Sequence, residues 1–146
     1  MLSLHKKKTT VNPLSTADLY ALADEKSISV FAFELPRTKS MALLCEDGTC
    51  CIGIDDTVTA ADEHVMLGHE IGHCLTGEFY NRHAPDWERG KSEYKATKWA
   101  ILNLCPYEAL CAAWEEGITE IWSLAEYFNV PEDFMRRAIA FYKNVQ

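Results

Sequence analysis

The sequence predicts an α+β fold in which one N-terminal helix precedes a small three-stranded sheet and the other helices follow. β-Branched and aromatic residues and a hairpin turn signal are confined to residues 29–55, whereas helical spacing of apolar residues dominates from residue 59 onward. Strands grouped ahead of helices are typical of an α+β fold rather than of a doubly wound sheet. With 146 residues, 48% hydrophobic and 25% charged, the chain is expected to form a single domain over 1–146.

The first helix is predicted over residues 16–25, with Ser15 or Thr16 as its cap. A strand over 29–35 follows, and Pro36 is expected to end it because proline cannot donate to a sheet.

Residues 39–55 are predicted to form a β-hairpin with Asp47-Gly48 as its turn. In a two-residue loop Cys45 would lie opposite Cys50, where a disulfide is geometrically possible. The chain has six cysteines and no recognisable export signal, so reduced thiols in a cytoplasmic protein are expected instead.

The rest of the chain has helical patterns. Thr59 is expected to cap a helix that reaches about Thr76, and Ser92 to cap a second helix over 93–104. Three short helices complete the prediction, near 107–116, 119–128 and 131–143.

The charge of the chain disfavours direct nucleic-acid binding, and its hydropathy excludes a membrane-spanning helix. The net charge is -8, and an acidic chain gains little from counterion release, so no direct nucleic-acid binding is expected. The last two helical patterns resemble a helix-turn-helix, but Arg136, Arg137 and Lys143 are balanced by acidic neighbours, which favours a packing unit or a protein-docking surface. No apolar run is long enough to predict a membrane span.

The segment His69-Glu70-Ile71-Gly72-His73 carries the chemistry. Histidines at i and i+4 share one helix face, so both imidazoles can reach one tetrahedral zinc ion at about 2.0–2.1 Å. Glu70 lies one position round from His69, where it can accept a proton from a water molecule held by the metal. The apolar flanks indicate that these groups are buried, and buried polar groups need partners. The segment therefore predicts a Zn²⁺ site with His69 and His73 as ligands and Glu70 as general base.

A catalytic zinc ion takes three protein ligands and keeps one position open. The candidates for the third ligand are His83, Asp86, Glu88 and Glu93. Glu93 is favoured because it begins a predicted helix, and the twenty positions after His73 allow that helix to return across the site. The group that stabilises the oxyanion stays open among Tyr80, His83 and Tyr94.

Gly68 and Gly72 conflict with the helix prediction, because each costs about 1 kcal/mol inside a helix. Close approach by a neighbouring strand or by substrate would explain them, and a merely tolerated glycine is the alternative.

The motif H-E-I-G-H-C and the later segment E-Y-K-A-T-K-W-A resemble the ImmA/IrrE family of zinc metallopeptidases, whose pattern is HExxH followed by E-x-x-A-x-x-F/W-A. The resemblance runs from about residue 14 to the end and implies a zincin-like core. It implies His69, His73 and Glu93 as zinc ligands and Glu70 as the base. Members often carry an acidic or amide residue where this chain has Thr97, so a hydrogen-bond partner for one zinc-bound histidine is expected to be missing or supplied elsewhere.

The resemblance also implies a function. It indicates a zinc metalloendopeptidase that cleaves or inactivates a helix-turn-helix repressor of a phage or mobile element. The repressor would be a separately encoded protein, because this short chain shows no fused repressor domain. The alternative is a metal-binding interaction module that inactivates a repressor without proteolysis.

Overall fold

The computed structural model describes residues 12–35, 37–77 and 85–144. In these ranges one helix is followed by three strands and five helices, which confirms the α+β prediction. The elements are α1 (Thr16–Glu25), β1 (Ser29–Phe33), β2 (Ser40–Leu44), β3 (Cys50–Asp55), α2 (Ala60–Thr76), α3 (Asp86–Leu104), α4 (Tyr107–Glu115), α5 (Ile121–Phe128) and α6 (Glu132–Asn144). No helix within these ranges is both long and apolar enough to cross a bilayer.

The strands form a mixed sheet in the order β1-β3-β2. β2 and β3 are antiparallel, as the hairpin prediction requires, and β1 runs parallel to β3. Ile52 and Ile54 of the central strand are buried on the face that packs against the helices. The sheet therefore has its core on one side, where α2 lies.

The hairpin register differs by one position from the prediction. The Cys45 N–H donates to the Thr49 carbonyl oxygen at 2.7 Å, and Cys50 pairs with Leu44. Cys45 is therefore opposite Thr49, and the loop has three residues rather than two. Gly48 closes the loop with a φ of 87°, a conformation that glycine adopts without strain.

Four of the six cysteines form disulfides, Cys45–Cys51 and Cys50–Cys74, so the prediction of reduced thiols is wrong for them. Successive strand residues face opposite sides of a sheet, so Cys50 faces the helices and Cys51 does not. The Cys50–Cys74 bond ties β3 to the last turn of α2. The two cysteines that stay free are Cys105 and Cys111.

Side-chain caps determine where α1 and α2 begin. Ser15 and Asp18 form a reciprocal capping box at α1, and the Thr59 hydroxyl accepts from the Asp62 N–H at α2. Gly77 ends α2 in the left-handed region with a φ of 67°. The predicted bounds of α1 and the predicted end of α2 are confirmed.

α3 begins at Asp86, so the prediction that Ser92 caps this helix is wrong. Its first turns carry polar residues and a glycine without an apolar stripe, which is why helical periodicity does not reveal them. Asp86 and Glu88 stabilise that end because they face the positive pole of the helix dipole, and Arg89 pairs with Asp86 at 2.6 Å. Ser92 therefore lies inside the helix and is buried.

α2 is the central element of the core and contacts α1, β2, β3 and α3. Its His64 ring lies 2.7 Å from the carbonyl oxygens of Leu14 and Asn129, which links the segment before α1 and the α5–α6 turn to α2. The Tyr142 hydroxyl donates to the Cys105 carbonyl oxygen at 2.8 Å and anchors α6 at the end of α3. The three predicted C-terminal helices are confirmed with shifts of one or two residues at most of their ends.

We expect loss of the Cys50–Cys74 bond to lower the free energy of unfolding by about 3 kcal/mol, because the unfolded loop then regains conformational freedom. Urea unfolding of the oxidised wild type and of Cys50→Ser measures this difference. Cys111→Ser removes a thiol that forms no disulfide and is the matched control. Equal unfolding midpoints for Cys50→Ser and the oxidised wild type would contradict the expectation.

Candidate metal centre

Two helices bring three metal-binding side chains together. His69 and His73 lie on one face of α2, and Glu93 projects from the second turn of α3. The Nε2 atom of His69 is 2.7 Å from Oε2 of Glu93, and the Nε2 atom of His73 is 3.0 Å from Oε1. One ligand atom from each of the three residues lies within 4.8 Å of the other two.

This donor set fits a zinc ion. Two imidazole nitrogens and a carboxylate oxygen are ligands that zinc takes at about 2.0–2.2 Å, which spaces tetrahedral ligands roughly 3.4 Å apart. The observed contacts need to lengthen by less than about 1 Å to reach that spacing. Hydrogen bonds from His69 and His73 hold the pKa of Glu93 well below its usual range, so Glu93 has the charge that a ligand needs. The His73 side chain is 7% exposed and that of Glu93 is 44% exposed, so the group is open on one side.

Two hydroxyls lie behind the histidines. Thr97 Oγ1 is 3.4 Å from Nδ1 of His69, and Ser92 Oγ is 3.4 Å from Nδ1 of His73. In each ring Nδ1 thus faces a hydroxyl and Nε2 faces Glu93. A histidine partner was not expected from position 97, but Thr97 itself makes a long contact with His69. A neutral hydroxyl increases the basicity of an imidazole less than a carboxylate does.

Glu70 lies on the side of α2 that faces the sheet and is 5% exposed. Ser40 at the start of β2 donates a hydrogen bond of 2.7 Å to its Oε2 atom. Burial raises the pKa of Glu70, while the Ser40 hydrogen bond and the nearby His69 and His73 act in the opposite direction. Glu70 is therefore close to the histidine pair and more basic than an exposed glutamate.

Gly72 allows α2 and α3 to approach closely. A Cβ atom at this position would lie 2.9 Å from the carbonyl oxygen of Ala96 and 3.2 Å from Cβ of Trp99. At Gly68 the nearest atom, also at 2.9 Å, belongs to the flexible end of the Leu104 side chain. At Gly72 the close neighbour is thus the α3 backbone, rather than a strand or substrate, whereas at Gly68 a shift of the Leu104 side chain could accommodate a Cβ atom.

The other predicted site residues are placed differently. Asp86 and Glu88 are exposed in the first turn of α3 and do not belong to the ligand group found among the described residues. Tyr94 is 58% exposed and lines a cleft with His69 and Glu93. Two residues that the sequence analysis considered lie outside the described part of the chain, Tyr80 and His83.

Ser40 is the contact that the sequence analysis missed. It lies 30 positions before Glu70, in a strand whose pattern carries no catalytic signal. Only the packing of β2 against α2 reveals it. The Ser92 hydroxyl was also missed as a histidine partner, because Ser92 was interpreted as a helix cap.

A family model described as peptidase M78, IrrE N-terminal-like domain, matches residues 23–140. The chain belongs to this peptidase family. The match confirms the predicted relation to ImmA/IrrE proteins and makes the chain a metallopeptidase-family member with a candidate metal site at His69, His73 and Glu93. No curated protein matches the chain.

In this M78 domain we expect Gly72→Ala to destabilise the fold by about 1–3 kcal/mol and to weaken metal binding, because the added Cβ meets the α3 backbone. Gly68→Ala is the matched control. Its Cβ meets only a leucine side chain that can rotate, and alanine gains about 1 kcal/mol in helix propensity. Thermal unfolding and zinc titration measure both effects. A Gly72→Ala protein as stable as Gly68→Ala would show that the helix contact is not tight.

Proposed function

We propose that this M78 domain is a zinc-dependent endopeptidase in which His69, His73 and Glu93 hold the metal and Glu70 is the general base. The observation that carries the proposal is the convergence of the three ligand atoms within 4.8 Å beside the buried carboxyl of Glu70. Metal retention alone has no need for this carboxyl, since Glu70 is not one of the three converging groups.

Zinc, when bound, lowers the pKa of its water and polarises the carbonyl of the scissile bond. The chain supplies the rest of the chemistry. Glu70 accepts the proton from the attacking water and returns it to the leaving nitrogen, and burial, which raises its pKa, makes it a stronger base than an exposed glutamate. Ser40 holds one carboxyl oxygen of Glu70, so the other is available for the water.

The sheet supports a peptide substrate. Among the described strands β2 is an edge strand, and Ser40 at its start contacts Glu70. An extended peptide can add to such an edge through backbone hydrogen bonds, with little dependence on its sequence. A chain bound in this way would pass the metal site in an extended conformation, as internal cleavage requires.

The substrate we propose is a separately encoded helix-turn-helix repressor of a phage or mobile element, bound as a protein and without direct contact to nucleic acid. The support is the relation to IrrE-like domains.

Such a target implies a cytoplasmic location, where thiols are mostly reduced. Thiol alkylation in rapidly quenched cells then reports whether Cys50 and Cys74 form a disulfide or are free thiols in the cell.

The second candidate function is that of a metal-binding module that inactivates the repressor without cutting it.

We expect Glu70→Gln to keep zinc and to lose at least about 100-fold in cleavage rate, because a positioned general base contributes roughly 10²–10⁴. The measurement combines metal analysis of the purified protein with mass spectrometry of the repressor after incubation. Glu63→Gln, on the same helix, is the matched control and should cleave as the wild type does.

His73→Ala should lose the metal in the same metal analysis, which also decides between zinc and the manganese or iron that these ligands accept. Loss of repressor activity without any peptide product, in wild type and Glu70→Gln alike, would refute the peptidase and favour the binding module.

We expect Ser40→Ala to lower kcat/KM about tenfold and to leave the zinc content unchanged, because a hydrogen bond to a charged group stabilises it by about 1.5–3 kcal/mol. Ser29→Ala, an exposed serine on β1, is the control. Steady-state kinetics on a cleaved peptide provide the measurement. Unchanged kinetics in Ser40→Ala would mean that Ser40 does not position Glu70.

A further inference from the structure

The metal site opens into a cleft between α3 and α6 with a volume of about 650 Å³. The α6 wall is formed by Arg137, Ala140, Phe141 and Asn144, which recur at helical spacing on one face of the helix. The α3 wall includes Glu93, Thr97, Lys98 and Ile101, again on one face. The cleft therefore begins at a metal ligand and continues along two helices.

Two cations line this cleft, Lys98 on α3 and Arg137 on α6. In the described part of the chain neither forms an ion pair, whereas Arg136 next to Arg137 pairs with Glu132 at 3.8 Å. The acidic residue among the lining residues is Glu93, whose oxygens face His69 and His73. A positive cleft thus lies beside the metal site in a protein of net charge -8.

Part of the cleft lining is apolar. Ile101 is 2% exposed, Phe141 is half-buried, and Ala140 is a small, exposed side chain. A ligand that fits such a cleft has a short apolar stem and an anionic end, as a glutamate or aspartate side chain has. The carboxylate at the end of a peptide offers the same chemistry.

We propose that Lys98 and Arg137 bind a carboxylate of the peptide substrate and make the enzyme selective for an acidic group at one fixed distance from the scissile bond. This inference rests on the proposed peptidase function. Arg137 can hold a carboxylate with two parallel N–H···O bonds, while Lys98 acts as a point charge from the opposite wall. Both lie in the same cleft as His69 and Glu93, so the group they select is near the bond that is cut.

The test uses the zinc-loaded wild type and a randomised peptide library with one fixed glutamate or, in a second pool, one fixed glutamine. We expect the glutamate pool to be cleaved about tenfold faster than the glutamine pool when the fixed residue stands at one particular distance from the scissile bond. The reason is that glutamine cannot form the charge-assisted hydrogen bond that glutamate forms. Lys98→Gln and Arg137→Gln should each reduce this preference by raising KM for the glutamate pool more than KM for the glutamine pool. Arg137→Glu should shift the preference toward lysine and arginine.

Arg136→Gln is the matched control, since Arg136 is adjacent in sequence but pairs with Glu132 and is not among the cleft-lining residues. The same peptides with amidated C-termini identify the source of the carboxylate. A preference for the glutamate pool that survives amidation assigns the carboxylate to a side chain, whereas poorer cleavage of both pools after amidation assigns it to the end of the peptide. Equal cleavage of both pools with free and amidated C-termini alike, or a preference unaffected in Lys98→Gln and Arg137→Gln, would overturn the proposal.

A binding measurement separates this proposal from the proposed function. Fluorescence anisotropy records binding of the labelled glutamate and glutamine pools to zinc-loaded Glu70→Gln. If the wild type cuts no peptide but the glutamate pool binds more tightly and loses that advantage in Arg137→Gln, the peptidase function fails and the carboxylate site stands. If peptides are cut but neither the fixed glutamate nor a free C-terminus improves binding, the carboxylate site fails and the peptidase stands.

Discussion

The close crossing of α2 and α3 is the constraint on which the site depends. Gly72 has no side chain to separate α2 from the Ala96 backbone, so α3 passes directly over the face that carries both histidines. Glu93 is one turn before Ala96 and Thr97 directly follows it, so this contact places a ligand in front of the imidazoles and a hydroxyl behind one of them. The metal-binding geometry is therefore a property of helix packing, and it changes with the distance between the two helices.

The sheet fixes the opposite side of α2. Ser40 from β2 contacts Glu70, and the Cys50–Cys74 bond joins β3 to the end of the same helix. The ligands and the proposed base thus face different neighbours, α3 on one side and the hairpin on the other. Desolvation of the Glu70 carboxyl costs free energy that the Ser40 hydrogen bond offsets in part. A change in the hairpin and a change in α3 should therefore affect different steps, proton transfer and metal binding respectively.

The charge of the cleft beside the metal site is opposite in sign to the net charge of the chain. The chain as a whole is acidic, which disfavours phosphate backbones, yet the cleft next to His69 and Glu93 carries Lys98 and Arg137. Whole-chain charge is informative about long-range steering, whereas selectivity depends on the few side chains that face the bound ligand. Arg136 and Arg137 illustrate the difference, because the first pairs with Glu132 on its own helix and the second lines the cleft.

Features with local causes were predictable from the sequence alone. The Ser15 and Thr59 caps, the hairpin and the histidine pair on α2 arise from residues within a few positions of each other. Glu93 was favoured as a ligand from helix and loop lengths, but its placement between both imidazoles depends on Gly72 and the α3 backbone. Ser40 beside Glu70, the pairing of Cys50 with Cys74 and the cleft shared by Lys98 and Arg137 join residues 24 or more positions apart. Only the tertiary structure decided these contacts, because periodicity reports which face of an element is apolar and not which neighbour covers it.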